Sequence, residues 1–481
     1  MREAAPRLQA GIARADITPP VGIAHGNWGA ATHSRAEGID LPLWATVLVL
    51  RDTETGTTAV MADLDLLLLP FSLATAMREA VARTTGVPAA HVRVSATHTH
   101  SGPTLSTATW LEEGAELVEP YVASLPAKVA GAAWEAMRRL RPARVAAGTG
   151  TCRIGINRRQ RAPDGRIVVG RNPHGFFDPT VRVLRLDAAM GREAEPLAAV
   201  VHYATHPTLM AYENRLITPD YPGVMRRTVE PLTGATCLFL QGCAGDAGPR
   251  LGFTEGHTGD VRFYRRAGTI LGAEAAKVFL ELEPQLYEER FAGVLESGAP
   301  LGVFRHVPAP EPDGTVRVVA APVRLPVRAF PSPEEAEAEA RAARERLAAL
   351  RRRGAAEEEL REATWRAKRL AQQAGHARLA GGQQEIELEL QAIRIGAAAL
   401  VGAPVEPFGE LGAAVAARSP FTWTAVSGYT NGSAGYLPVA AAFDEGGYEV
   451  EQASPFAREA GERFVKAAAA LLQQLAAPGP K

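Results

Sequence analysis

The segment that most constrains the architecture reads Val92-Arg93-Val94-Ser95-Ala96-Thr97-His98-Thr99-His100-Ser101-Gly102-Pro103. A β-type run over 92–96 passes directly into a polar loop that contains two histidines. Two later apolar runs, 197–204 and 236–240, also end in polar or glycine-rich loops, at His206 and at Asp246. Segments with helical spacing of apolar residues separate these strands, at 71–83, 119–140, 221–232 and 261–281. This alternation predicts an α/β fold, in which loops beyond the strand ends usually build the site.

The rest of the chain completes the predicted domain organisation. Further strands are expected at 45–51, 57–62, 180–186, 385–395, 398–402 and 423–427, and further helices at 408–417 and 456–475. Residues 332–375 are rich in Glu, Arg and Ala, and they begin with the good helix start Ser332-Pro333-Glu334-Glu335. We predict mixed β-sheets flanked by helices in one discontinuous α/β domain, 10–325 completed by 385–478. An antiparallel helical hairpin at 332–378 is expected to be inserted in it.

Composition excludes several classes of protein. The chain has 481 residues, 46% of them hydrophobic, and a formal net charge of −1. These values exclude global disorder and argue against a nucleic-acid partner, which a basic surplus would indicate. Three cysteines cannot form a disulfide framework. No apolar run reaches the ~18–20 residues of a membrane span, and the polar start lacks the apolar run of a signal peptide, so a cytoplasmic protein is expected.

Two histidine-containing segments are candidates for a metal site. In extended backbone, His98 and His100 point the same way and can serve as paired ligands, or as a ligand and an acid/base group. Two histidines at this spacing are also common on surfaces and in cores. His206 follows a strand end, whereas His202 is expected to be buried in the sheet and hydrogen-bonded there. Neutral imidazoles suit Zn²⁺, which then needs a carboxylate ligand that spacing alone does not identify.

A glycine-rich turn is the third candidate feature. Gly242-Cys243-Ala244-Gly245-Asp246-Ala247-Gly248-Pro249 allows close backbone approach and exposes N–H groups that could hold an anion. The alternative is that the segment has only a structural role, as a tight strand-to-helix turn. No glycine-rich nucleotide motif opens a helix, so no nucleotide cofactor is expected.

Several motifs together resemble the neutral/alkaline (non-lysosomal) ceramidase family. They occur in the family's order between residue 10 and about residue 448: Ala15-Asp16-Ile17-Thr18-Pro19, Ser95-Ala96-Thr97-His98-Thr99-His100-Ser101-Gly102-Pro103, Ala204-Thr205-His206-Pro207-Thr208, Gly245-Asp246-Ala247-Gly248-Pro249, Pro404-Val405-Glu406 and Asn431-Gly432-Ser433-Ala434-Gly435-Tyr436. The histidine segment and the 431–436 segment are the specific ones. The resemblance implies a bacterial ceramidase-like zinc amidase.

The resemblance also implies roles for individual residues. Residue by residue, the family's zinc ligands correspond to His98, His206, Glu406 and Tyr436, with one Zn²⁺ per chain. The family's further active-site groups correspond to His100, to Arg158 of the pair Asn157-Arg158, and to Tyr448, twelve residues after the ligand tyrosine. For Arg158 the correspondence is looser, because Arg153 and Arg159 are close in sequence. Asp246 is expected to be a turn-forming carboxylate, with a general-base role as the alternative.

The departures from the family pattern shape the expected activity. Gly248 stands where the family has a serine proposed as nucleophile or hydrogen-bonding group, which excludes an acyl-serine route there. From the sequence we expect no counterpart of the family's immunoglobulin-like C-terminal domain. We therefore expect a metal-activated water to cleave an N-acyl bond of a small or lipid-like substrate other than long-chain ceramide. The alternatives are a metal-dependent esterase or phosphoesterase, and a non-catalytic ligand-binding protein. The hairpin at 332–378 is a candidate surface for a homo-oligomer.

Overall fold

An eight-stranded mixed sheet is the centre of the fold. The computed structural model describes residues 6–28, 30–31, 33–105, 113–190, 193–251, 260–284 and 287–477. The strands up to the middle of the chain are β1 Leu8–Asp16, β2 Gly38–Ile39, β3 Trp44–Asp52, β4 Thr58–Leu64, β5 Val92–Ala96, β6 Arg141–Thr151, β7 Gly155–Arg161, β8 Ile167–Asn172, β9 Thr180–Met190, β10 Glu193–Tyr203, β11 Leu216–Ile217, β12 Thr236–Gln241 and β13 Ala247–Pro249. The large sheet has the order β12-β10-β9-β6-β1-β3-β4-β5. Its two outer pairs, β4 with β5 and β10 with β12, are parallel, and its inner pairs are antiparallel.

A second sheet packs on one face of the first. The later strands are β14 Tyr287–Leu295, β15 Leu301–Pro308, β16 Val316–Pro326, β17 Glu385–Ile395, β18 Ala398–Gly402, β19 Glu406–Pro407, β20 Trp423–Ser427 and β21 Tyr436–Leu437. The four-stranded sheet has the order β16-β17-β18-β20. Side chains such as Leu48, Leu184 and Leu238 from the large sheet meet Ile393 and Leu400 from the small one in a shared core.

Helices cover the outer faces of both sheets, which gives four layers. The helices are α1 Phe71–Thr85, α2 Val118–Arg138, α3 Asp220–Thr233, α4 Val261–Glu281, α5 Pro333–Arg352, α6 Glu357–Ala380, α7 Gly409–Ala416, α8 Ala442–Glu445, α9 Tyr448–Glu451 and α10 Ala460–Ala476. The pairs α1/α2 and α3/α4 bury apolar faces against the large sheet. Helices α7 and α10 do the same against the small sheet. The predicted α/β class with mixed sheets is confirmed.

The ends of the two edge strands of the large sheet meet one segment of the second half of the chain. Ser95 in β5 forms a β-bridge with Thr430, and Gly242, next after β12, forms one with Ser427. The buried guanidinium of Arg93 donates to the hydroxyls of Ser427 and Thr430, at 2.9 and 3.0 Å. The loops that follow β5 and β12 therefore lie at the same end of the molecule.

Helices α5 and α6 pack against each other where a helical hairpin is expected. Ser332 caps α5 with a reciprocal capping box to Glu335, which fixes the start of the helix. The division into a discontinuous domain and an insertion stays a prediction, as does self-association through the two helices. The last helix begins at Ala460 rather than at 456, because Phe456 forms a β-bridge with Val327.

None of the helices in the described part of the chain is both long and apolar enough to cross a membrane.

Candidate active site

The structure brings three of the predicted histidines together. His98 and His100 follow β5, and His206 follows β10. One ring nitrogen of each lies within 4.8 Å of the others. Two loops far apart in sequence thus place three imidazoles around one point.

Backbone carbonyls fix the orientation of all three rings. In each histidine Nδ1 is hydrogen-bonded to a carbonyl oxygen, which makes Nδ1–H the donor and leaves the Nε2 lone pair available. The carbonyls belong to Leu67 for His98, Asn27 for His100 and Ala244 for His206, at 2.6, 3.1 and 2.7 Å. The site therefore offers three Nε2 atoms as acceptors or ligands.

Burial keeps these imidazoles neutral. It lowers the pKa of His100 to about 4 and holds the pKa values of His98 and His206 well below the ordinary 6.5. The Nε2 atoms of His98 and His100 are buried and have no hydrogen-bond partner among the described residues. Buried polar atoms are nearly always satisfied, and a neutral imidazole is a common metal ligand, so these orphaned nitrogens fit a bound cation.

The two histidines of the first loop do not reach the site by strand alternation. Strand β5 ends at Ala96, and His98 adopts a φ of 70°, in the left-handed region that side chains other than glycine rarely occupy. The expectation that His98 and His100 share a side of an extended strand is therefore wrong in its geometry. A turn, held by the hydrogen bond from His98 N–H to Leu66 O, brings them together instead.

Glu406 and Tyr436 complete the cluster. They face each other across the short parallel pair β19/β21. Glu406 Oε2 lies 3.4 Å from His98 Nε2 and 3.7 Å from His206 Nε2, and Tyr436 OH lies 3.1 Å from His206 Nε2. The hydroxyl of Tyr429 donates to Glu406 Oε2 at 3.4 Å. The four residues that the resemblance implied as ligands thus lie in one cluster.

Arg158 is the arginine of its segment that reaches the cluster. Its guanidinium carbon lies 5.3 Å from the Tyr436 ring centroid, and its Nε donates to Glu449 at 2.8 Å. Arg159 donates to the other oxygen of Glu449 and to Glu445, and its guanidinium lies over the Phe408 ring. Arg153 is exposed. Arg158 Nη2 is buried and has no partner within hydrogen-bond geometry in the described ranges, and the guanidinium interacts electrostatically with the Tyr436 hydroxyl.

Tyr448 lies beside Tyr436 at the edge of the cluster. The two rings meet edge to face, with centroids 5.9 Å apart, and Tyr448 is 40% exposed. Its position fits contact with a bound substrate more than with the histidine nitrogens.

Asp246 and Gly248 belong to the turn behind the cluster. The Asp246 carboxylate accepts hydrogen bonds from Gly409 N–H and the Asn157 amide, at 2.8 and 3.1 Å, and burial raises its pKa to about 6. These contacts tie the turn to the start of α7 and to β7. A Cβ added at Gly248 would lie 3.2 Å from the Cβ of Arg158, so a side chain there would press on the arginine.

His202 lies outside the cluster, buried in β10 with Nε2 2.9 Å from Val426 O. Burial lowers its pKa to about 4. Between about pH 4 and 6.5 the unfolded state then binds more protons than the native state, so this group makes the free energy of unfolding fall as the pH falls. With His202→Gln, we expect the loss between about pH 6.5 and 5 to be smaller by about 2 kcal/mol than in the wild type. Urea unfolding at both pH values measures it, and equal losses would contradict the expectation.

Three residues of the site have no signal in the sequence motifs. The Tyr429 ring packs on His98 with centroids 4.1 Å apart, and the Trp28 ring packs on His100 at 4.9 Å. Glu449 receives hydrogen bonds from both Arg158 and Arg159. Glu449 directly follows Tyr448, and Tyr429 precedes the 431–436 segment, so proximity to a motif was the only available hint.

Comparisons with known proteins agree with this geometry. A sequence model described as "Neutral/alkaline non-lysosomal ceramidase, N-terminal" matches residues 8–256. The structure of a neutral ceramidase from Pseudomonas aeruginosa is similar, with 22% identity, a TM-score of 0.70, and coverage of 100% of this chain and 77% of that one. A ceramidase complexed with C2 is also similar, with 21% identity, a TM-score of 0.67, and coverage of 99% and 78%. At such identities the likeness establishes the fold. The sequence has no significant match among curated proteins.

Proposed function

The chain belongs to the neutral/alkaline non-lysosomal ceramidase family, a family of metal-dependent hydrolases that act on amide bonds, and on that basis we propose that it is a zinc-dependent amidohydrolase. Its substrate is a small or lipid-like N-acyl compound other than long-chain ceramide.

The convergence of His98, His206, Glu406 and Tyr436 carries the proposal. Two neutral imidazoles, a carboxylate and a phenol are nitrogen and oxygen donors of the kind that zinc accepts, and the orphaned Nε2 of His98 fits the role of a ligand. A zinc ion bound there would polarise a carbonyl and lower the pKa of a bound water to about 7.

The neighbouring side chains supply binding and proton movement. Arg158 Nη2 is placed to hold a substrate carboxylate, phosphate or hydroxyl. Tyr448 keeps its phenolic proton at neutral pH and can donate a hydrogen bond to the developing oxyanion. His100 Nε2 accepts a proton or hydrogen bond, because Nδ1 is engaged with Asn27 O. Asp246 holds the turn and is not required to move a proton.

Gly248 bears on the choice of substrate and mechanism. With no hydroxyl at this position, the turn offers no serine nucleophile, so attack by water is the route that we propose.

A panel of N-acyl compounds, assayed for fatty-acid release with and without a chelator, tests the function. The panel holds N-acyl amino acids, simple fatty amides, matched esters and long-chain ceramide. We expect amide hydrolysis that the chelator abolishes and zinc restores, with ceramide among the poor substrates. Efficient ceramide turnover would show that Gly248 does not exclude that substrate. Hydrolysis of the matched esters with no hydrolysis of any amide would favour the esterase alternative, and no hydrolysis by the zinc-loaded chain would favour a ligand-binding protein.

A further inference from the structure

One face of helix α6 lies against the cluster just described. Lys368, Gln372 and His376 are four residues apart, so they share one side of the helix. Each contacts a different segment that carries a residue of the site.

The first contact links helix α6 to His100 through Asn27 and Trp28. Lys368 Nζ donates to the carbonyl of Trp28 at 3.0 Å. The Trp28 ring packs on His100, and the carbonyl of the preceding residue, Asn27, holds His100 Nδ1. Lys368 therefore fixes the backbone that positions both the tryptophan and the histidine.

The second and third contacts reach the opposite side of the site. Gln372 lies within hydrogen-bonding reach of the Tyr448 side chain. His376 lies beside Gly435, where an added Cβ would be 3.5 Å from its Nε2. The carbonyl of Gly435 accepts from the N–H of Glu406. Helix α6 thus spans the site from His100 to Tyr448.

We propose that helix α6 forms one wall of the active site, and that Lys368 and Gln372 are positioning residues that set which substrates fit between Trp28 and Tyr448. The inference rests on the proposed function and deepens it. Burial lowers the pKa of Lys368 to about 8, in keeping with an amine that lies against the Trp28 carbonyl. The neighbouring Arg366 is exposed on the other side of the helix and serves as a matched control.

Binding of dodecanohydroxamic acid to the zinc-loaded full chain, measured by calorimetry, tests the wall. Lys368→Met removes the donor and keeps the aliphatic chain, and we expect it to weaken binding by about fivefold or more, close to 1 kcal/mol. Lys368→Arg restores a donor and should bind within about twofold of the wild type, as should Arg366→Met. Equal affinities in all four proteins would overturn the proposal.

Kinetics and hydrogen exchange separate this inference from the proposed function. With N-dodecanoyl-p-nitroaniline, Lys368→Met should raise KM by about fivefold and change kcat by less than about twofold, because the reacting groups remain. Amides of 25–28 should exchange faster in Lys368→Met than in Lys368→Arg, whatever the activity. A wild type that takes up zinc but binds no hydroxamate would count against the proposed function. Even then, unchanged amide hydrogen exchange over 25–28 in Lys368→Met would contradict the proposal that helix α6 forms a wall of the site.

Discussion

Replacing His206 by alanine is expected to abolish zinc binding and to lower kcat/KM for an N-acyl substrate by about 10³-fold or more, which is about 4 kcal/mol of transition-state stabilisation. His206 Nε2 lies 3.1 Å from Tyr436 OH and 3.7 Å from Glu406 Oε2, and its Nδ1 is fixed by Ala244 O. Without this imidazole only three of the four proposed donors remain, His98, Glu406 and Tyr436. Steady-state kinetics and the metal content of the same preparation measure the two effects.

His202→Gln is the matched control for that variant. His202 is also a buried histidine of low pKa, four residues earlier, but its ring bonds to Val426 O away from the cluster. We expect it to keep its zinc and most of its activity. A His206→Ala protein that retains both zinc and activity would show that this histidine is not a ligand, and equal losses in the two variants would point to damage of the fold.

Arg226→Met is expected to lower the free energy of unfolding by about 3–5 kcal/mol, because it leaves a buried carboxylate without its cation. Arg226 on α3 and Asp65 after β4 are both almost fully buried and form an ion pair. The Asp65 carboxylate also accepts from Trp44 N–H. The next two residues provide the carbonyls that hold His98, so the loss should also weaken zinc binding. Urea unfolding and zinc titration measure the two consequences.

The double variant Arg226→Met with Asp65→Asn separates charge from packing. Removing the charge of Asp65 as well should recover part of the stability, since the single variant suffers from an unpaired charge. Arg166→Met, at an exposed ion pair, should change stability by less than about 1 kcal/mol. If Arg226→Met lowered the free energy of unfolding by less than about 1 kcal/mol, solvent or another group would have to compensate the charge of Asp65.

The fold could be predicted where apolar runs have a clear period. The strands at 92–96, 385–395, 398–402 and 423–427 and the helix at 261–281 have the bounds that the sequence indicates. Strand β6, Arg141–Thr151, was not predicted, because its alanine, glycine and arginine residues form a strand only through pairing with β1 and β9. The hairpin β14/β15 was not predicted either. Its apolar residues, such as Phe291 and Phe304, are exposed, so they do not follow the alternation of buried and exposed positions that indicates a strand.

The site could be predicted only where motifs carry it. The motifs at 95–103, 204–208 and 431–436 named His98, His206 and Tyr436, and the structure places these residues together. Local reasoning could not foresee the left-handed turn at His98, because the N–H of His98 bonds to Leu66 O in the distant loop after β4. Nor could it foresee Trp28 over His100, since that contact joins separate loops. Such residues need the tertiary fold before any pattern reveals them.

The zinc content of the wild-type chain, purified without added metal, dialysed, and then loaded with a slight excess of zinc, tests the central claim most directly. Elemental analysis after removal of free metal should find about one zinc per chain, as expected for a single cluster of His98, His206, Glu406 and Tyr436. A folded wild-type chain that retains no zinc would contradict the account.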